Sequence, residues 1–189
     1  MKTKGIEFNK NNLNEVFINT APFFIHRGES ASAVAGKLSM NNTDGYGGKK
    51  LIGLFDFDKE GTEKFYCLRK QNNWDNTISG DAQTGIYKKR NQHTCFYALL
   101  IPIPQRLNSL ISNIKEGIFE SFVEIENLLS EEMLLRNNLV ETRSIIDKSY
   151  YKIKDNKKSI IPNIISDLPK EEFNDFVPLF QIVEKLFKI

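Results

Sequence analysis

Asp56 and Asp58 stand two residues apart at the end of an apolar run, Leu-Ile-Gly-Leu-Phe-Asp-Phe-Asp-Lys-Glu-Gly over residues 51–61. On an extended chain, side chains two apart leave the same face, so both carboxylates would point one way. Two such groups at the end of a buried strand repel each other unless a cation or a proton sits between them. The pattern points to a divalent-metal site, with Mg²⁺ or Mn²⁺ suited to hard oxygen ligands. The plainer alternative is a solvated turn after a strand, where Asp and Gly are common.

The elements that must position these acids follow from apolar spacing. Ala21-Pro22-Phe23-Phe24-Ile25 reads as a short buried strand ending at Arg27-Gly28. Residues 29–40 carry Val34 and Leu38 at helical spacing behind a Ser-containing start, which reads as a capped helix. A turn-forming cluster at 41–48 precedes the strand at 51–57, which Glu60-Gly61 is expected to break before a helix from 62 to 70 with Phe65 and Leu68 inward. Strand, helix, strand, helix predicts an α/β fold with a mainly parallel sheet. Residues 71–94 are polar; then Ile86 to Arg90 and Cys95 to Ile103 suggest a hairpin or strand pair, with Pro102 and Pro104 ending the second strand near a sheet edge. From about residue 120 the pattern turns helical through Phe119, Phe122, Val123, Leu128 and Leu129, followed by a charged stretch at 130–160. Residues 170–189 place Phe173, Phe176, Leu179, Phe180, Val183, Leu186 and Phe187 on one amphipathic stripe. The expected organisation is an α/β core over 1–129 with a hairpin insertion near 75–104, and a helical segment over 130–189 completing the same domain.

Bulk properties set wider bounds. The chain has 189 residues, enough for one domain with a sizeable core. Twenty-six basic and 24 acidic residues leave a net charge of +2, so only local clusters argue for a polyanionic partner. Cys67 and Cys95 read as buried thiols of a reducing compartment. The start shows no apolar signal region and no run reaches membrane-spanning length, so the expectation is a cytoplasmic protein with no membrane partner.

Three protein families place Asp-x-Asp in this way, and spacing separates them. A calcium-binding EF-hand loop starting at Asp56 would put Cys67 where a bidentate Glu belongs, and it would not follow a strand. A haloacid-dehalogenase phosphatase opens with the same pair but continues with Gly-Thr, where this chain has Lys59-Glu60. The third fits more of the chain. Leu54 to Gly61 resembles the Asp-x-Asp strand of Toprim domains, the fold shared by topoisomerases, primases and certain nucleases. Phe24-Ile25-His26-Arg27-Gly28-Glu29-Ser30 with its Ala-rich helix resembles the second strand and helix of Toprim nucleases of the OLD (overcoming lysogenization defect) type. Phe122 to Leu129 is similar to the acidic helix start of that branch, and Lys157 to Ile161 with the Phe-rich end to its lysine-bearing closing segment. The essential Glu of a first Toprim strand has no counterpart: Glu7, Glu15 and Glu29 all sit in the wrong setting. The chain therefore looks as if it begins after that strand and lacks the ATPase domain that often precedes it.

The resemblance implies roles. Asp56 and Asp58 would ligate Mg²⁺ or Mn²⁺, Glu124 or Glu126 would complete a second metal position, and Lys157 or Lys158 would neutralise charge on a phosphate. It implies metal-dependent cleavage of DNA, a partner ATPase domain or subunit of ABC type, a role in phage defence or repair, and self-association. For Glu124 and Glu126 the plainer reading is two acids favoured at a helix start. For Lys157 and Lys158 it is a solvated charge run with Lys152 and Lys154. Lys88, Lys89 and Arg90, beside Trp74 and Tyr87, would track a phosphate backbone or merely solubilise a hairpin. His26 and His93 match no zinc spacing. The competing class is a module of the same fold that binds DNA or a partner and does not cut.

Overall fold

The computed structural model describes residues 30–39, 51–71, 74–76, 85–90, 94–110, 122–145 and 148–187. Its main sheet contains β1 (Leu51–Phe55), β3 (Asp75–Asn76), β4 (Gly85–Arg90) and β5 (Thr94–Leu100), in the spatial order β1-β5-β4-β3. β1 and β5 run parallel, with Gly53 opposite Ala98. β4 and β5 form an antiparallel hairpin, as the strand-pair pattern suggests, and β3 is antiparallel to β4. The fold is therefore mixed α/β, and the expected mainly parallel sheet is not found among the described residues. The short connection at 91–93 is the reason, because a parallel return needs a crossover of a dozen or more residues. β5 also lies inside the sheet, so Pro102 and Pro104 follow an interior strand. They fall beyond its last residue, where the ladder no longer needs their missing N–H groups. Ile101, between them and the strand, still donates its N–H to the Phe55 carbonyl at 2.9 Å.

Helix α1 (Ala31–Ser39) and helix α2 (Lys59–Arg69) pack on this sheet. Their inward Leu38, Phe65 and Leu68 join Phe55, Phe96, Ala98, Leu100 and Ile101 in one buried cluster. The closest approach is at Gly53: a Cβ there would stand 2.5 Å from Leu38 Cδ1 and 2.8 Å from Val34 Cγ1. Gly53 is thus the seat on which α1 rests. Trp74 is only 7% exposed and belongs to the same cluster. It is a core residue, and the expected stacking surface for nucleic acid loses it. Cys67, expected buried, is exposed on α2.

The segment after residue 129 builds a second cluster from Leu129, Met133, Leu134, Leu139, Val140, Ile153 and Ile161. It is not helical throughout. Between α3 (Glu131–Arg136) and α4 (Ile161–Ile165) lies an antiparallel hairpin of β7 (Val140–Ile145) and β8 (Lys148–Ile153). Asn138, at φ 53°, makes the left-handed turn from α3 toward β7, a conformation that Asn tolerates better than most residues. The amphipathic stripe of 170–189 is also divided. Lys170–Phe176 forms a 3₁₀ turn before α5 (Val177–Phe187), so the two stretches do not share one helical phase. Leu179 and Leu186 face inward, whereas Phe180 is 57% exposed and stacks on Phe176. Among the described residues no helix is long and apolar enough to cross a membrane.

The glycines of α1 and β1 give opposite expectations. Nothing lies within 4 Å of a Cβ at Gly36. Gly36→Ala should therefore stabilise the protein by about 0.5–1 kcal/mol through helix propensity. Gly53→Ala should destabilise it by about 1–3 kcal/mol through overpacking. A urea midpoint left unchanged or raised by Gly53→Ala would show that α1 does not rest on Gly53.

Candidate functional site

β1 stops at Phe55 because the chain turns at Asp56 and pairs elsewhere. β2 (Phe57–Asp58) runs antiparallel to β6 (Phe122–Val123), with Phe57 opposite Val123 and Asp58 opposite Phe122. This two-residue ladder brings the acids of 56–58 beside those of 124–126. Asp56 Oδ1 accepts the Ile125 N–H at 2.9 Å, satisfying a donor at the start of the 3₁₀ turn Ile125–Leu128. Asp58 is the N-cap of α2, and its Oδ1 accepts the Gly61 N–H at 2.7 Å. Thr62, fully buried, donates its hydroxyl to the Asp58 carbonyl at 2.6 Å.

Glu60 and Gly61 do end the extended chain, but as the first turn of α2 and not as a separate break. Gly61 has a stricter reason to be glycine. The carbonyl oxygen of Asp56 lies 2.1 Å from where its Cβ would be, so the end of β1 presses directly on the helix start.

Opposite the two Asp residues, Glu124 and Lys158 form an ion pair at 2.8 Å. The Glu124 side chain is only 12% exposed, and its Oε2 is buried without a hydrogen-bond partner among the described residues. Lys158 sits on the 3₁₀ turn Asp155–Ile160 that follows β8. Asn127, 3% exposed, holds these pieces in register. Its Oδ1 accepts the Glu124 N–H at 2.9 Å and its Nδ2 donates to the Tyr151 carbonyl at 3.4 Å. Arg106 adds a second tie by donating to the carbonyls of Asn127 and Leu129, the latter at 3.1 Å, while pairing with Asp175 at 3.3 Å. Neither residue was among the sequence candidates. Asn127 was within reach of sequence reasoning, since a polar side chain three residues after a helix-start residue suits reciprocal capping. Arg106 carries no local signal.

The electrostatics follow from this crowding. Burial pushes the Asp56 carboxyl up to about 6; the Ile125 N–H works against the shift, and the charges of Glu126, Asp58 and Glu124 add to it. Burial also raises Glu124, against the hydrogen bond and charge of Lys158. For Lys158, burial acts to lower the pKa, but the Glu124 hydrogen bond and the charges of Glu124, Glu126 and Asp155 raise it overall. Among the described residues the charges acting on Asp56 are all negative, and at Glu124 the ammonium groups of Lys158 and Lys152 only partly offset the effect of burial.

These donors suit a hard divalent cation in chemistry: all are carboxylate oxygens, and one is buried with no partner among the described residues. Their present rotamers do not form a coordination shell, since among the described residues no three His, Cys, Asp or Glu side chains are placed to hold one ion. Asp58 is turned toward the α2 cap and Glu124 toward Lys158.

The sequence candidates are therefore distributed unevenly. Asp56, Asp58, Glu124, Glu126 and Lys158 come together at the end of β1. Lys157 shares the 3₁₀ turn of Lys158, where its backbone N–H bonds the Lys154 carbonyl at 2.8 Å. Lys88, Lys89 and Arg90 lie on β4 opposite Phe96, Cys95 and Thr94. The side chains of these three, and those of Tyr87 and Cys95, lie outside the described residues, as do His26, His93, the 21–25 strand, Glu7, Glu15 and Glu29. Compared with known proteins, the chain matches no family model, no curated protein and no solved structure.

Because the Asp56 carboxyl titrates near 6 in the fold against 3.8 ordinarily, the folded state binds its proton more tightly than the unfolded chain. The stability contributed by neutral Asp56 is complete below pH 3.8 and is lost as pH rises through 6. Asp56→Asn keeps an acceptor for Ile125 and removes the charge. In metal-free buffer at neutral pH it should be more stable than wild type by on the order of 1–3 kcal/mol, with the gap closing near pH 4. Urea titrations at the two pH values check this, and a variant less stable at both refutes it.

Proposed function

We propose that this chain acts as a metal-dependent DNA endonuclease of the Toprim type, in its OLD branch. One observation carries the reading: acids from two distant segments and a lysine from a third meet at the carboxyl end of β1, beside its parallel neighbour β5. Ligands of open α/β sheets collect at that end of the strands. Asp56, Asp58 and Glu126, with Glu124, would hold Mg²⁺ or Mn²⁺. When bound, such a cation supplies Lewis-acid stabilisation to the phosphodiester being hydrolysed. The chain's own residues do the rest. Asp56 and Asp58 each have one oxygen fixed by a backbone N–H group, and the other would be offered to the cation. Lys158, which pairs with Glu124, would supply an ammonium against negative charge building on the phosphate. Lys88, Lys89 and Arg90 would contact the DNA backbone from β4. An ABC-type ATPase domain or subunit, self-association and work in phage defence or repair belong to the same proposal through the resemblance.

A second reading has an observation of its own. Asp58 already caps α2 and Glu124 already holds Lys158, so part of the acidic charge is compensated within the chain. That suits a module which binds DNA or a partner without cutting.

The deciding experiment is nicking of supercoiled plasmid with Mg²⁺ or Mn²⁺, beside Asp56→Ala and Asp58→Ala. The proposal expects nicking that requires the metal and falls to the metal-free level in both variants. Metal-independent binding of the plasmid with no nicking by a folded protein would overturn it in favour of the module. Hydrolysis of p-nitrophenyl phosphate with no action on plasmid would instead mark a phosphatase.

A further inference from the structure

The β7–β8 hairpin has one open edge. The phase of its ladder is set by the Lys154 N–H, which donates to the Leu139 carbonyl at 2.9 Å. Alternation from that bond turns the backbone groups of Glu141 and Arg143 toward β8, and those of Val140, Thr142 and Ser144 away from it. Tyr151, opposite Thr142, obeys the same phase: its carbonyl points away from β7 and accepts Asn127 Nδ2 at 3.4 Å. The outer side of β8 is thus turned toward the site, whereas the outward N–H and C=O groups of β7 have no hydrogen-bond partner among the described residues. Thr142, Arg143 and Ser144 are exposed, and Val140 anchors the start of the strand in the second cluster.

An open strand edge is a template for another strand, and native edges are commonly blunted by a proline, a bulge or a charge that an incoming strand would meet unpaired. β7, Val-Glu-Thr-Arg-Ser-Ile, contains no proline and pairs with β8 without interruption. Its two charges are of opposite sign and share one face, where the Arg143 guanidinium meets the Glu141 carboxylate at 2.7 Å. We propose that β7 pairs with β7 of a second copy of this chain, antiparallel, about a two-fold axis through Thr142. In that register Thr142 exchanges backbone bonds with Thr142 of the other copy, and Val140 with Ser144. Glu141 then comes opposite Arg143, and Arg143 opposite Glu141, in the pairs whose side chains stand closest. Lys152 lies opposite Glu141 on β8, so charge alternates across the joined sheet from Lys152 to Glu141 to Arg143 of the other copy. Slipping to the next bonded register on either side sets Glu141 against Glu141 or Arg143 against Arg143, which is repulsive. The charges therefore select one register and oppose its neighbours. The contact joins like edges, so it uses up both and closes at a dimer. It rests on the self-association proposed above, to which it gives a surface, and not on the metal.

The test is sedimentation equilibrium of the full chain over a range of concentrations, for wild type, Arg143→Glu, Glu141→Arg and an equimolar mixture of the two variants. Arg143 is 55% and Glu141 39% exposed, so neither change should disturb the fold, which circular dichroism checks. The expected result is a reversible dimer for wild type and several-fold weaker association for each variant alone, because each then sets like charges against each other. The mixture should recover the dimer, since the acidic pair of one variant faces the basic pair of the other. Thr142→Pro removes one outward N–H from the edge and should weaken the dimer by a route independent of charge. A wild-type dimer that both charge variants retain would overturn β7 as the surface and leave self-association standing. Loss in both variants without recovery in the mixture would overturn the pairing of Glu141 with Arg143. A wild type that stays monomeric at every concentration would overturn both the edge pairing and the self-association.

Discussion

Negative charge gathered at the end of one strand is the constraint to which the rest of this structure answers. Asp56 and Asp58 arrive there on β1 and β2, and Glu124 and Glu126 arrive from the turn after β6. Nothing in that collection is favourable by itself. It is tolerated because three of the acids have a donor among the described residues: Ile125 for Asp56, Gly61 for Asp58, Lys158 for Glu124. Two of those donors are backbone amides at the start of helical turns, where unpaired N–H groups and helix polarity already favour an acceptor. The local demand of the helices for acceptors and the demand of the acids for donors are met by the same bonds.

The second requirement is that the two hydrophobic clusters hold still relative to each other, because the site draws residues from both sides of their junction. Arg106 and Asn127 supply this. Arg106 reaches the Asn127 and Leu129 carbonyls and Asp175, while Asn127 ties Glu124 to the β8 strand that leads to Lys158. These are polar contacts between backbone and side chain at a boundary where apolar packing alone would permit sliding. Their directionality fixes how the acid-bearing turn faces the lysine.

Local patterns made the first half of the fold legible. Val34 and Leu38 marked a helix, residues 51–57 a strand (which ends at Phe55), Phe65 and Leu68 a second helix, and the 86–103 region a strand pair, all by apolar period. What failed depends on partners distant in sequence. The mainly parallel sheet was inferred from the alternation of elements, yet among the described residues β1–β5 is the one parallel pair of that sheet, which also takes in the β4–β5 hairpin. The β7–β8 hairpin was hidden because Glu141, Arg143, Lys148 and Lys152 interrupt its apolar residues, and the run reads as solvated charge. At the site, the strand-terminal spacing singled out Asp56 and Asp58, and the structure sets Lys158, not Lys157, against Glu124. Trp74 was misjudged because an isolated aromatic in a polar stretch carries no period to reveal that it turns inward.

The bond from Ile125 to Asp56 closes a span of 69 residues. Closing so long a loop is slow compared with forming a helix or a hairpin, since its entropy must be surrendered before the contact returns anything. α2 and the β4–β5 hairpin are each assembled from near neighbours. The topology therefore places the meeting of the acids late in folding, after the elements that carry them have formed. Repulsion among them then burdens the final docking step and spares the nucleus, so a sequence can carry this much like charge in one place without losing the speed at which its framework assembles.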